Sequence, residues 1–143
     1  MTEKENLKLG IIGCGFATQT VFGVAKKNPN VKIVAAVDPN IRRAIKFCGR
    51  DHAYKDIEKM YKNEDIDVVY IATPPYLHKS MIEEALKENK HIFCEKPISS
   101  TIEDAREIYK LDMKYSKLKV GINYQYRYDN NCSRLLLELI III

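Results

Sequence analysis

The residue best suited to chemistry in this sequence is Lys96, in Cys94-Glu95-Lys96-Pro97 at the end of an apolar run that begins at His91. Pro97 has no backbone N–H and restricts the residue before it to an extended conformation. The lysine is therefore held at the end of a strand, not inside one. An ammonium group there can donate to a substrate oxygen, and partial burial would tune it for acid–base work. Taken alone, Glu95-Lys96 reads better as a surface charge pair ahead of a turn.

Other strand ends carry matching features. Gly13-Cys14-Gly15 follows the apolar run Leu7 to Ile12 and leads into a helical segment. Glycines at that point permit a tight turn and close approach by a pyrophosphate, to which the helix start offers backbone N–H groups. The third position of that fingerprint, usually Gly or Ala, is Thr18. Asp38 ends the next apolar run at the spacing expected of an acid that accepts from both ribose hydroxyls of NAD and repels the 2′-phosphate of NADP. It also fits a turn aspartate, since Asp-Pro-Asn is good turn chemistry. Arg42 and Arg43 follow closely, either as helix-surface charges or as phosphate partners that keep NADP open. In Ile71-Ala-Thr-Pro-Pro-Tyr-Leu-His78, Thr73, Pro74 and Pro75 force an extended exit suited to lying along a cofactor, with His78 as a possible ligand or an ordinary helical histidine.

The elements that must position these residues alternate in type. Leu7–Ile12, Val31–Val37, Asp67–Ala72, His91–Cys94 and Lys119–Asn123 are short, nearly unbroken apolar runs, as in strands covered on both faces. Helical spacing is expected at about 17–27, 40–48, 56–62, 77–89 and 102–114. The last has Ser100 and Glu103 at capping-box spacing, with Ile102, Ala105, Tyr109 and Met113 on one face. Strand and helix in alternation predict an α/β fold: a doubly wound, parallel sheet of the Rossmann type, with ligands beyond the carboxyl ends of the strands.

Size and composition agree. The 143 residues suffice for one domain with a core. A net charge of +4, with lysines scattered, argues against nucleic acid and anionic membrane as partners. Cys14, Cys48, Cys94 and Cys132, with His52, His78 and His91, show no metal-ligand spacing, so no metal is expected. The cysteines read as free thiols in a cytoplasmic protein. The apolar end from Leu135 to Ile143 is too short to span a bilayer and is interrupted by Glu138.

GIIGCGFA with Asp38, IATPPYLH, CEKP and VGINYQYRYD together resemble the amino-terminal domain of the glucose–fructose oxidoreductase/inositol dehydrogenase (Gfo/Idh/MocA) family, over nearly the whole chain to about Asp129. That resemblance implies an NAD- or NADP-dependent oxidoreductase moving hydride to or from a hydroxyl-bearing carbon of a sugar or cyclitol. It implies cofactor contacts from Gly13, Cys14, Gly15, Phe16, Ala17, Asp38, Thr73, Pro74, His78, Glu95, Lys96 and Asn123. Lys96 would be catalytic and would touch substrate, with Arg127 also on the substrate side. Thr18 and Pro75, where the family often has Asn, depart from the pattern. The domain reading is 1–126 for the dinucleotide-binding unit and 127–143 for the start of a connecting helix, stopping before the family's second domain. A homo-oligomer stays open, as does a free-standing nucleotide-binding or interaction module without turnover.

Overall fold

The structure is a computed structural model and describes residues 6–124. Arg127, the helix expected after it and the apolar end lie outside the described residues. Six strands, β1 (Leu7–Ile12), β2 (Val31–Val37), β3 (Ala53–Tyr54), β4 (Val68–Ile71), β5 (His91–Cys94) and β6 (Val120–Ile122), alternate with α1 (Phe16–Ala25), α2 (Ile41–Cys48), α3 (Ile57–Asn63), α4 (His78–Lys87) and α5 (Ile102–Lys114). The strands pair in parallel in the order β3-β2-β1-β4-β5-β6. This is the doubly wound order, and its reversal point falls between β1 and β4.

Alternation along the strands divides the core in two. Ile12, Val37, Val69, Ile71, Ile92 and Cys94 face Met60 of α3, Ile82 and Leu86 of α4 and Ile108 of α5. Leu9, Ile11, Ala36 and Tyr70 face the other way, against Phe22 of α1 and Ala44 and Phe47 of α2. Both faces of the central strands are thus covered, which is why their sequences are nearly continuous apolar runs. Each fully buried aliphatic side chain contributes roughly 1.5–3 kcal/mol.

The expected strands and helices are present, with three differences of detail. β3 has two residues, too short for any periodicity, and is held by the pairing of Ala36 with Ala53 and Val37 with Tyr54. α5 is capped by Thr101, whose side chain accepts from the N–H of Asp104, and not by the Ser100–Glu103 pair. Ile102, Tyr109 and Met113, expected on the packed face of α5, are exposed. The face that packs carries Ile108 and Leu111 with Tyr115 just beyond, a stripe displaced around the helix.

Candidate functional site

Backbone bonds lace the carboxyl ends of the strands together. Gly13 N donates to Val37 O (2.9 Å), Ala72 N to Ile12 O, Glu95 N to Ile71 O and Asn123 N to Cys94 O (2.8 Å each). The residues just past β1, β4, β5 and β6 are therefore fixed side by side along one edge.

At the reversal point, Gly13 has φ +87°, and a Cβ there would lie 2.6 Å from the carbonyl oxygen of Ala72. Only glycine fits where the loop after β1 passes the loop after β4. Around Gly15 there is nothing within 4 Å of a Cβ position. The space over the second glycine is open, as a phosphate lying against the backbone would need. α1 starts directly behind it with no acidic residue in its first turn, leaving the positive end of the helix unopposed by its own side chains. Phe16 at that start is largely exposed and Ala17 is half-buried. Thr18 is fully buried, and its hydroxyl donates to the carbonyl of Gly13 at 2.6 Å. The departure from the small-residue pattern is thus accommodated: the extra oxygen has a partner inside the turn.

Asp38 is buried, and each carboxylate oxygen holds a backbone N–H: Oδ2 that of Cys14 (2.9 Å) and Oδ1 that of Asn40 (2.8 Å). The turn role is visible in this geometry. The bond to Asn40 makes the turn, while Asn40 itself caps α2 by accepting from Arg42 N. The bond to Cys14 reaches back to the glycine loop. Each oxygen keeps lone pairs for a further donor. Burial, then the charge of Asp38, pushes the Cys14 thiol up to about 12. That thiol is a neutral packing group and not a nucleophile.

Beside Asp38 lies a cavity of about 450 Å³ whose walls include Gly13, Gly15, Asp38, Asn40, Arg43, Lys55, Thr73, Pro74, Leu77 and Met81. Its lining combines apolar side chains from two helices, the Asp38 carboxylate, the two cations Arg43 and Lys55, and the glycine loop. Residues expected from β1, β2 and β4 are brought together here. Pro75 begins a single 3-10 turn, Pro75–Leu77, where its missing N–H is no loss. The Thr73 hydroxyl is buried and has no partner among the described residues.

His78, expected among the cofactor contacts, is fully buried and absent from the cavity wall, with Nε2 2.9 Å from the Thr73 carbonyl and Nδ1 3.0 Å from that of Pro97. It ties the loop after β4 to the loop after β5 from behind. The partial burial that would tune Lys96 is not seen: the side chain is exposed, and its ammonium makes no hydrogen bond or ion pair among the described residues. The burial belongs to Glu95, which is 8% exposed. Its Oε1 accepts from the Tyr70 hydroxyl and from Asn123 Nδ2 (2.6 Å), and its Oε2 accepts from Lys96 N (3.3 Å). The Lys96–Pro97 peptide is cis.

Tyr70 was not legible as a site residue, because it sits within an apolar strand pattern. One signal existed: a tyrosine in a fully buried strand must find a partner for its hydroxyl. Arg43, weighed as a phosphate partner, is on the cavity wall, while Lys55, Leu77 and Met81 carried no signal that would mark them as part of it.

The sheet order, the glycine turn at its reversal point and the acid after β2 define a dinucleotide-binding domain of the doubly wound class. The chain belongs to the GFO_IDH_MocA oxidoreductase family, whose NAD-binding Rossmann fold matches residues 7–124. It is 30% identical over 128 residues to inositol 2-dehydrogenase of Salmonella typhimurium, covering 86% of this chain and 38% of that protein. It is 34% identical over 122 residues to the uncharacterized oxidoreductase YrbE of Bacillus subtilis, covering 82% of this chain and 36% of that one. Among solved structures, scyllo-inositol dehydrogenase from Lactobacillus casei with bound NAD(H) and scyllo-inositol is 28% identical with a TM-score of 0.83, covering 94% of this chain and 42% of the other. The chain thus spans little more than a third of the length of these curated relatives.

Proposed function

We propose that this domain serves an oxidoreductase acting on a sugar- or cyclitol-like substrate, with NAD as the preferred cofactor. The observation that carries the reading is the sheet edge itself. Successive strand ends present a ribose-type acid at Asp38, an open glycine turn at Gly13 and Gly15, a stiff loop at Thr73 and Pro74, and a lysine at Lys96, all joined by backbone hydrogen bonds.

The groups present suit a dinucleotide. The Cβ-free space over Gly15 and the start of α1 would hold the pyrophosphate, with backbone N–H groups near Cys14, Phe16 and Ala17 as donors. Asp38 would accept from the adenosine ribose, and the apolar walls from Leu77 and Met81 would cover the base. Thr73, Glu95 and Asn123 would flank the nicotinamide half, with His78 holding that corner together from behind. When bound, the nicotinamide supplies the hydride donor or acceptor. The chain's own part in the chemistry falls to Lys96, which can give a proton to, or orient, the substrate oxygen at the β5 edge. Arg127 remains a proposed substrate contact, outside the described residues.

The same reading has the dinucleotide-binding unit ending at about residue 126 and a connecting helix following. It sets the protein in the cytoplasm, in keeping with the free thiols of Cys14, Cys48 and Cys94. Nucleic acid is not a partner in it, and self-association is left to measurement. Among the described residues no helix is long and apolar enough to cross a membrane, and no group of acids, cysteines and histidines is arranged to hold a metal ion.

The test is a titration of the chain with NADH and NADPH, then a screen of inositols and hexoses with NAD, following the absorbance of reduced nicotinamide in the longer gene product if one exists. Saturable NADH binding is the expected result. No binding of either cofactor would overturn the reading.

A further inference from the structure

Resting on the reading of the β5 corner as the nicotinamide end, we propose that Tyr70 is a positioning residue. Its phenol acts through Glu95 to fix where Lys96 stands at the sheet edge, and Asn123 is the second donor in the same device.

The argument begins with register. Tyr70 lies opposite Phe93 in the β4–β5 pair, with ring centroids 5.7 Å apart. Side chains alternate along a strand, so Glu95, two residues beyond Phe93, points to the same face. Gly121 is opposite Phe93 on the other side, and Asn123 lies two residues beyond it. Donors from both neighbouring strands therefore converge on Glu95, and both reach the same oxygen, Oε1. This leaves Oε2 facing the N–H of Lys96. The carboxylate cannot swing without losing bonds to Tyr70 of β4, to Asn123 beyond β6 and to the N–H of its own neighbour Lys96.

Packing does not require the phenol oxygen. Tyr70 is 1% exposed among Leu9, Ile11, Ala36 and Ala44, where a phenylalanine ring would fill the same space. A buried hydroxyl is unfavourable without a partner, so the oxygen makes sense only through Glu95. Burial, then the hydrogen bond to Glu95 and its charge, pushes the Tyr70 phenol far above its ordinary value. It stays protonated, and so remains a donor, at any pH at which the protein works. The Lys96 ammonium has no side-chain partner of its own among the described residues. Its placement thus comes from the backbone, which Glu95 anchors from the preceding residue.

The experiment compares NADH with ADP-ribose, which lacks the nicotinamide, by calorimetry on the whole chain. The wild type should bind NADH more tightly than ADP-ribose. Tyr70→Phe should weaken NADH by about tenfold, the usual scale for losing a hydrogen bond to a charged group, and leave ADP-ribose unchanged. In a Glu95→Gln background the same change should have little further effect. If Tyr70→Phe does not fold, Asn123→Ala, which removes the other donor, must show the same split. A Tyr70→Phe chain that keeps the full wild-type preference for NADH overturns this proposal and leaves the corner's assignment standing. Equal loss of both ligands overturns it in favour of a purely structural role. A wild type that binds the two ligands equally overturns the corner's assignment and this proposal with it.

Discussion

The Thr18 hydroxyl donates to the carbonyl of Gly13 across the first turn of α1, at 2.6 Å and with no solvent exposure at Thr18. The bond closes the glycine loop on itself. Thr18→Val keeps the shape and removes the donor, leaving the Gly13 carbonyl short of a partner. Loss of about 1–3 kcal/mol is expected on the scale of buried unsatisfied groups. Urea unfolding of both proteins measures it; an unchanged midpoint would mean that water replaces the hydroxyl at no penalty.

Gly13 and Gly15 should respond in opposite ways. Gly13→Ala forces a side chain into a positive-φ position and against the Ala72 carbonyl, so it should destabilise the fold by several kcal/mol, or on the order of 3. Gly15→Ala meets nothing within 4 Å and should fold nearly as well as the wild type. Gly15→Val should still fold but bind NADH poorly, because its branches enter the space proposed for the pyrophosphate. Thermal unfolding with and without NADH separates the two effects. Normal NADH binding by Gly15→Val would remove the phosphate from that loop.

The sheet and the helix order were legible in the sequence because five of the strands are nearly unbroken apolar runs, a pattern that cover on both faces favours. β3 was not, since two residues carry no period and their pairing with β2 is a tertiary effect. Gly13 could be read because the turn after β1 leaves room only for glycine, and Asp38 because the turn after β2 needs a side-chain acceptor there. His78 and Tyr70 were harder for a shared reason: their roles are internal bonds to loops far away in sequence, and only the folded register brings donor and acceptor together. On α5 the spacing of Ile102, Tyr109 and Met113 imitated a packed stripe, while contact with the sheet selected Ile108 and Leu111.

Alkaline pH should weaken the fold through buried thiols. Burial raises Cys14 and Cys94 from 9.0 to about 12, with the charges of Asp38 and Glu95 adding to it. Below the unfolded value both states keep the proton and stability is unaffected. Between about 9 and about 12 the unfolded chain releases it while the native chain holds it, so stability falls as pH rises. At about one pH unit above the unfolded value, each thiol should account for on the order of 1 kcal/mol. Denaturant midpoints at pH 8 and pH 10 should differ, roughly, and the difference should shrink in Cys14→Ala. A pH difference that Cys14→Ala does not alter would assign it to other groups.

Asp38 should make the chain prefer NADH to NADPH, because the 2′-phosphate would meet a buried carboxylate whose backbone bonds hold it in place. Arg43 and Lys55 on the same cavity wall are the opposing cations. Asp38→Asn keeps an acceptor for the turn and removes the charge, so it should narrow the preference. Calorimetry at matched salt decides between the two. Tighter binding of NADPH by the wild type would show that the cations Arg43 and Lys55 dominate and that the ribose assignment of Asp38 is wrong.

Lys96 should be separable from the fold altogether. Its side chain is exposed and makes no bond among the described residues, so Lys96→Ala should change stability by no more than about 0.5 kcal/mol, the range of ordinary surface substitutions. ADP-ribose binding, which the proposal gives to the glycine loop and Asp38, should also be unchanged. Where the gene product carries the remainder of the protein and turns over, the same substitution should lower the rate of hydride transfer by at least about tenfold, within the range of positioned acid–base groups. Lys96→Arg keeps the charge but cannot give up its proton, so it should restore binding of substrate better than it restores turnover. Stopped-flow measurement of nicotinamide reduction in the three proteins distinguishes these roles. A Lys96→Ala protein with wild-type turnover would return the lysine to the surface and move the proton-transfer group to a residue outside the Glu95–Lys96 corner.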